Sequence, residues 1–107
     1  MPEFNELDPV VHGQIRLAVL SILVGAEEAE FTYLRERVGA SDGNLSVHLS
    51  KLEAAGYIAV KKHFVNKKPQ SIYRITEKGR NAFMRYVENL KALLGRDLKG
   101  RRYTKRE

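Results

Sequence analysis

The stretch Leu45-Ser46-Val47-His48-Leu49-Ser50-Lys51-Leu52-Glu53-Ala54-Ala55-Gly56-Tyr57-Ile58 constrains this chain more than any other. Leu45, Leu49 and Leu52 recur at the spacing of one helical face. Gly56 follows where a helix needs a residue tolerant of left-handed backbone. The β-branched and aromatic run Tyr57-Ile58-Ala59-Val60 then reads as a strand, so a helix passes directly into a sheet. Upstream, Phe31–Val38 reads as a short helix with Leu34 and Val38 facing inward, and Gly39 ends it. Ser41 or Asp42 can cap the next helix. About three residues then separate the two helices, the spacing of a helix-turn-helix.

The flanks complete the pattern. Asp8-Pro9 offers a capping acid and a proline for the start of a first helix. In it Val11, Ile15, Leu17, Ala18, Val19, Leu20, Ile22 and Leu23 are apolar around most of the circumference. Such a helix must be buried on more than one side, which in a small domain points to a partner chain. Gly25 and the acidic loop Glu27–Glu30 end it. Beyond the first strand, Asn66-Lys67-Lys68-Pro69-Gln70 reads as a turn and Ile72-Tyr73-Arg74-Ile75 as a second strand. Thr76 can cap a last helix, where Phe83, Tyr86, Val87, Leu90, Leu93 and Leu94 form a seam for the first helix or another subunit. The expected fold is α+β, mainly α: a winged helix-turn-helix with a three-helix core, a β-hairpin wing and a long C-terminal helix. It spans residues 1–95, and the basic segment 96–107, nearly devoid of apolar residues, is expected to be a mobile tail.

At 107 residues the chain accommodates one hydrophobic core and no second domain. The absence of cysteine excludes disulfides, thiolate metal sites and thiol redox sensing. No signal peptide is visible, and no apolar run reaches the roughly 18 residues of a membrane span, so a soluble cytoplasmic protein is expected. The net charge of +6 is unevenly distributed. Residues 1–30 hold six acids and one base, Arg16, whereas residues 31–107 hold 18 bases against seven acids. One part of the surface is thus suited to a polyanion, and the acidic first thirty residues are expected to face away from it.

Opposite the leucine stripe, the third helix presents Asn44, Ser46, Val47, His48, Ser50 and Lys51, with no acid before Glu53. Amides, hydroxyls and a short apolar group suit base edges in the DNA major groove, and an ordinary solvated helix would carry more Lys and Glu. The hairpin adds Lys61, Lys62, Lys67, Lys68 and Arg74, suited to phosphates and the minor groove. Lysines on an edge strand also discourage aggregation, and both roles can coexist. Thr32, Arg35 and Arg37 on the second helix are placed to hold the backbone, though Thr32 equally fits a plain N-cap.

The pattern Ser46-x-His48-Leu49-x-x-Leu52, followed by Ala55-Gly56-Tyr57-Ile58, resembles the recognition helix of winged-helix regulators of the MarR and ArsR groups. Tyr73-Arg74-Ile75-Thr76-Glu77-Lys78-Gly79-Arg80 is similar to the segment that leaves the wing and starts their last helix. With Leu7-Asp8-Pro9, the resemblance covers roughly residues 7–94 and is greatest to short single-domain archaeal and bacterial members. It implies a homodimer built from the first and last helices, here through Val11, Ile15, Val19, Phe83, Tyr86, Val87, Leu90 and Leu94, with double-stranded DNA as partner. Val47 departs from the Arg or Lys common at its position, which favours contact with a thymine methyl over guanine. The cysteine metal motif of many ArsR sensors is missing, so no metal or cofactor is expected. His12, His48 and His63 lack metal-ligand spacing, and no P-loop, GxGxxG or HExxH pattern occurs, so an enzyme is not expected. The expectation is a sequence-specific, homodimeric DNA-binding regulator. The competing functions are a sequence-tolerant architectural or chromatin protein, and a winged helix used only for protein contact.

Overall fold

A computed structural model describes residues 7–99 of the chain. The elements in order are α1 (Gln14–Ala26), β1 (Glu28–Glu30), α2 (Phe31–Val38), α3 (Asp42–Ala54), β2 (Ile58–Val65), β3 (Lys68–Ile75) and α4 (Glu77–Lys99). The winged-helix architecture expected from the sequence is present, with a third strand added. Among the described residues no helix is long and apolar enough to cross a membrane.

The core lies between α1, α2 and α3. Leu20, Leu23, Leu34, Leu45 and Leu52 are fully buried, with Leu49 nearly so, and Val11 and Val19 close one side. Ile58 from β2 and Ala82 and Tyr86 from α4 complete it, and no charged or polar residue is buried among the described residues. The three leucines of α3 are the stripe read from the sequence. α1 is the hub: it touches α2, α3, α4, β1 and β3. Val19, Leu20 and Leu23 of this helix are buried within the chain, whereas Ile15, Leu17, Ala18 and Ile22 are only partly covered by it. Val11, Val19 and Tyr86, expected at a dimer interface, are covered by the chain's own core.

Helix ends follow local chemistry. Asp8 does cap, its Oδ1 accepting the Val10 N–H at 2.8 Å, but only a single turn follows and α1 starts at Gln14. Gly39 closes α2 at φ 74°. Ser41 caps α3, its hydroxyl oxygen accepting the Asn44 N–H at 3.2 Å. At the far end, the Gly56 N–H donates to the Glu53 carbonyl and the Tyr57 N–H to the Leu52 carbonyl, both at 2.9 Å. This paired closure needs left-handed backbone, and Gly56 supplies it at φ 81°.

The sheet has the order β1-β3-β2, all antiparallel. Two expectations change here. The Glu27–Glu30 loop is in part a strand, because Glu28, Ala29 and Glu30 pair with Arg74, Tyr73 and Ile72 on the otherwise open edge of β3. The wing strands run longer than Tyr57–Val60 and Ile72–Ile75, and the turn contracts to Asn66-Lys67 at φ 53° and 67°. Two central residues with positive φ match the right-handed twist of the strands, so pairing continues to Val65 and Lys68. Pro69 stands opposite Phe64, one step beyond the pair that closes the turn, where an antiparallel ladder needs no N–H toward β2.

Thr76 caps α4 as expected, its hydroxyl oxygen accepting the Gly79 N–H at 2.9 Å while its O–H donates to the Gly56 carbonyl at 2.6 Å. α4 continues past Gly95 to Lys99, so the proposed domain boundary falls inside a helix. The remainder of the expected tail, 100–107, lies outside the described residues.

Candidate nucleic-acid interface

Buried on one side by Leu45, Leu49 and Leu52, α3 turns Asn44, Ser46, Val47, Ser50 and Lys51 to solvent. Val47 is 51 % exposed, unusual for a branched apolar side chain on a helix with its own core face. None of these five side chains makes a hydrogen bond or ion pair within the described residues. They form a polar, acid-free surface with one apolar contact point.

His48 is placed differently from the expectation. It is half-buried at the border of that surface, and its Nδ1 accepts the Arg16 Nη1–H at 2.8 Å. It faces α1 rather than the centre of the exposed face. Burial, then the charges of Arg16 and Lys51, push its pKa below the ordinary histidine range.

The wing carries no acid from Ile58 to Ile75. Lys67 and Lys68 are exposed at its tip. Successive strand residues face opposite sides, so Lys61 and Lys62 point to different faces of the hairpin and one flat surface cannot engage both. Arg74 sits at the root, opposite Ala59 and Glu28, roughly 20 Å of strand from the turn. The structure thus gathers Lys67 and Lys68 at the tip and leaves Arg74 apart. The expectation that the first thirty residues hold their acids away from the basic surface also needs correction. Glu28 and Glu30 lie in the same sheet as the wing.

Glu30 organises the joint between wing and α2. Its carboxylate accepts the Thr32 hydroxyl at 2.9 Å and also the Gln70 amide N–H, and Gln70 Oε1 lies 2.8 Å from His63 Nε2. An open groove of 610 Å³ runs beside this network, between Phe31 and Thr32 on one side and Val65, Asn66 and Lys68 on the other. Thr32 is therefore neither an N-cap nor a free hydroxyl; Glu30 occupies the cap position. Arg35 and Arg37, expected to hold a DNA backbone, have partners within the chain. Arg35 donates to Asp42 Oδ1 at 2.7 Å, joining α2 to the start of α3, and Arg37 donates to the Tyr33 hydroxyl at 2.6 Å.

Two residues escaped the sequence. Phe64, 73 % exposed beside the wing tip, was masked by the lysines around it. Arg16 is a lone base in an acidic segment, and nothing local to it signals a partner 32 residues away. Among the described residues no three His, Asp or Glu side chains converge where a metal could sit.

A leucine core of three helices, a three-residue turn before an acid-free helix face, and a lysine-tipped hairpin define a winged helix-turn-helix protein. A model of the winged helix DNA-binding domain matches residues 15–94. The chain belongs to that family. It is 40% identical over 78 residues to an uncharacterized protein of Methanocaldococcus jannaschii, covering 73% of this chain and 85% of that protein. Among solved structures, a transcriptional regulator homologue from Pyrococcus horikoshii superposes with a TM-score of 0.83 at 27% identity, over 92% of this chain and all of that one (100%). A MarR-family transcriptional regulator from Silicibacter pomeroyi shares the fold, with a TM-score of 0.63 at 18% identity over 94% of this chain and 67% of that one. The family match assigns the chain a winged helix DNA-binding domain, and these solved structures share its fold.

Proposed function

We propose that the chain is a homodimeric transcriptional regulator that recognises a specific, roughly palindromic double-stranded DNA sequence. One observation carries the reading: the exposed face of α3 is polar and acid-free, and it lies next in the chain to an acid-free hairpin with lysines at its tip. In this reading α3 enters the major groove. Asn44, Ser46 and Ser50 donate or accept at base edges, Val47 packs on a thymine methyl, and Lys51, Lys67 and Lys68 neutralise phosphates.

Dimerisation is assigned to α4. Phe83, Val87, Leu90 and Leu94 follow one another at the four-three-four spacing of a helical seam, and Leu94 is 45 % exposed in the single chain. Ile15 on α1 is half-buried and can extend the seam, whereas Val11, Val19 and Tyr86 support it from within. Two α3 helices related by such an axis would meet half-sites about 34 Å apart.

Selection of bound sequences from random duplexes at a fixed salt concentration tests the reading. A regulator enriches a two-fold symmetric motif; an architectural protein binds but enriches none, and a protein-contact module shifts no duplex at low salt. Sedimentation equilibrium of the free chain tests the dimer separately. In the enriched motif, uracil in place of the contacted thymine should weaken binding if Val47 packs on the methyl group.

A further inference from the structure

Arg16 is the one base among the first thirty residues, and all of its guanidinium nitrogens are engaged. Its Nε–H donates to the Val10 carbonyl at 2.6 Å, Nη2 donates to the Pro9 carbonyl at 3.4 Å, and Nη1 donates to His48 Nδ1 at 2.8 Å. A guanidinium offers donors only and stays protonated, so Nδ1 of His48 must present its lone pair. A neutral imidazole that accepts at Nδ1 carries its proton on Nε2. That Nε2–H has no partner within the described residues. The ring stands one helical turn from both Asn44 and Lys51, at the border of the exposed face of α3.

We propose that Arg16 is a positioning residue that locks His48 in the Nε2–H form, making the ring an obligate hydrogen-bond donor to an acceptor atom of the bound duplex. The proposal rests on the DNA-binding reading above. The acceptor is an electron-rich oxygen or nitrogen, either on a base edge (purine N7, guanine O6, thymine O4) or on a phosphate. A ring with free choice of tautomer could donate or accept and would discriminate less.

The same geometry fixes the response to acid. The charged groups that face His48 are Arg16 from α1 and Lys51 from α3, and with burial they favour the neutral ring. The stabilisation it gives is complete above about pH 6.5 and is lost as pH falls below that value. An unbraced surface histidine behaves in the opposite sense toward DNA: it gains a charge near pH 6.5 and binds phosphate more tightly as pH falls.

Nitrogen-15 NMR of the free, full-length chain reads the tautomer directly. Wild type should show Nε2–H at pH 7; Arg16→Met should show a tautomer mixture and a higher His48 titration midpoint, and Arg16→Lys should restore the wild-type pattern. Fluorescence anisotropy at one salt concentration then compares a duplex carrying the selected motif with a random duplex. Arg16→Met should weaken binding about tenfold, the size of one hydrogen bond. Loss confined to the motif duplex places the acceptor on a base, and equal loss on both places it on phosphate; either supports the proposal. A wild-type ring protonated at Nδ1 would overturn it, as would a changed tautomer with both affinities intact. If Arg16→Met does not fold, two other variants decide. His48→Gln can accept from Arg16 and donate outward, so it should hold affinity where His48→Leu loses it; equal loss in both overturns the proposal. Failure of the wild-type chain to bind any duplex would sink the DNA-binding reading itself, and the NMR result on the free chain keeps that failure distinct.

Discussion

Gly79 lies in the first turn of α4, where helix propensity alone says that alanine should stabilise the chain by about 1 kcal/mol. The structure reverses the sign. A β-carbon at Gly79 would sit 2.0 Å from the Tyr57 carbonyl oxygen, 2.8 Å from its carbon and 2.9 Å from Cα. These are backbone atoms and cannot swing aside. Restoring van der Waals contact requires the start of α4 to move roughly 1.5 Å from the exit of α3. Three contacts cross or support that joint: the Thr76 N–H to the Tyr57 carbonyl at 3.0 Å, the Thr76 O–H to the Gly56 carbonyl at 2.6 Å, and the Gly79 N–H to the Thr76 hydroxyl at 2.9 Å. Overpacking costs about 1–3 kcal/mol and each weakened hydrogen bond about 0.5–1.5 kcal/mol. Set against the propensity gain, Gly79→Ala should destabilise the chain by about 1.5–6.5 kcal/mol. Equilibrium urea unfolding followed by circular dichroism measures this. A variant as stable as wild type, or more so, would refute the close approach and with it the idea that Thr76 and Gly79 clamp the end of α3.

Other perturbations probe the wing and the pH response. Lys67 holds φ 67° without being glycine. Lys67→Gly should therefore be more stable to urea unfolding than Lys67→Ala, by up to about 1 kcal/mol once the entropy of glycine is deducted. Replacing Lys67 and Lys68 together by alanine should weaken binding to every duplex and lower the slope of log affinity against log salt by about two; an unchanged slope removes the wing tip from the interface. Tyr57 is pushed up to about 12 by burial and by its hydrogen bond to Asp8. The neutral phenol is thus favoured by folding: its contribution is complete below about pH 10 and disappears as pH rises through about 12. The stability gap between wild type and Tyr57→Phe should close across that window, and a constant gap would exclude the Asp8 contact as its source.

The parts of the fold legible in the sequence are those set by local chemistry. Gly39, Ser41 and Gly56 end or begin helices through their own backbone and hydroxyl, and Leu45, Leu49 and Leu52 reveal their face by spacing alone. β1 was not legible, because Glu-Ala-Glu has no strand preference and pairs only since β3 offers a free edge. The full length of the wing is hidden in the sequence for the same reason: lysines conceal strands whose extent is set by the ladder and by a turn that places Lys67 in the left-handed region. The candidate site divides likewise. The exposure of Asn44, Val47, Ser50 and Lys51 follows from periodicity, whereas Arg35 with Asp42 and Arg16 with His48 depend on helix packing that no spacing displays.

Those unseen contacts show how α3 is held. Arg35 grips Asp42 at its start, Arg16 grips His48 at its middle, and Thr76 with Gly79 grips its exit, while Tyr57 just beyond donates to Asp8. Apart from His48, which is held by Arg16 and also borders the outer face, the residues that fix the helix in space are separate from those on its outer face, whose side chains bond to nothing among the described residues. Stability and sequence preference should then vary independently. Exchanging Asn44, Val47 and Ser50 for other small or polar side chains should change stability by no more than about 0.5 kcal/mol while altering the motif recovered by selection. A drop of several kcal/mol would mean that the outer face supports the fold, and the division between anchoring and recognising residues would fail.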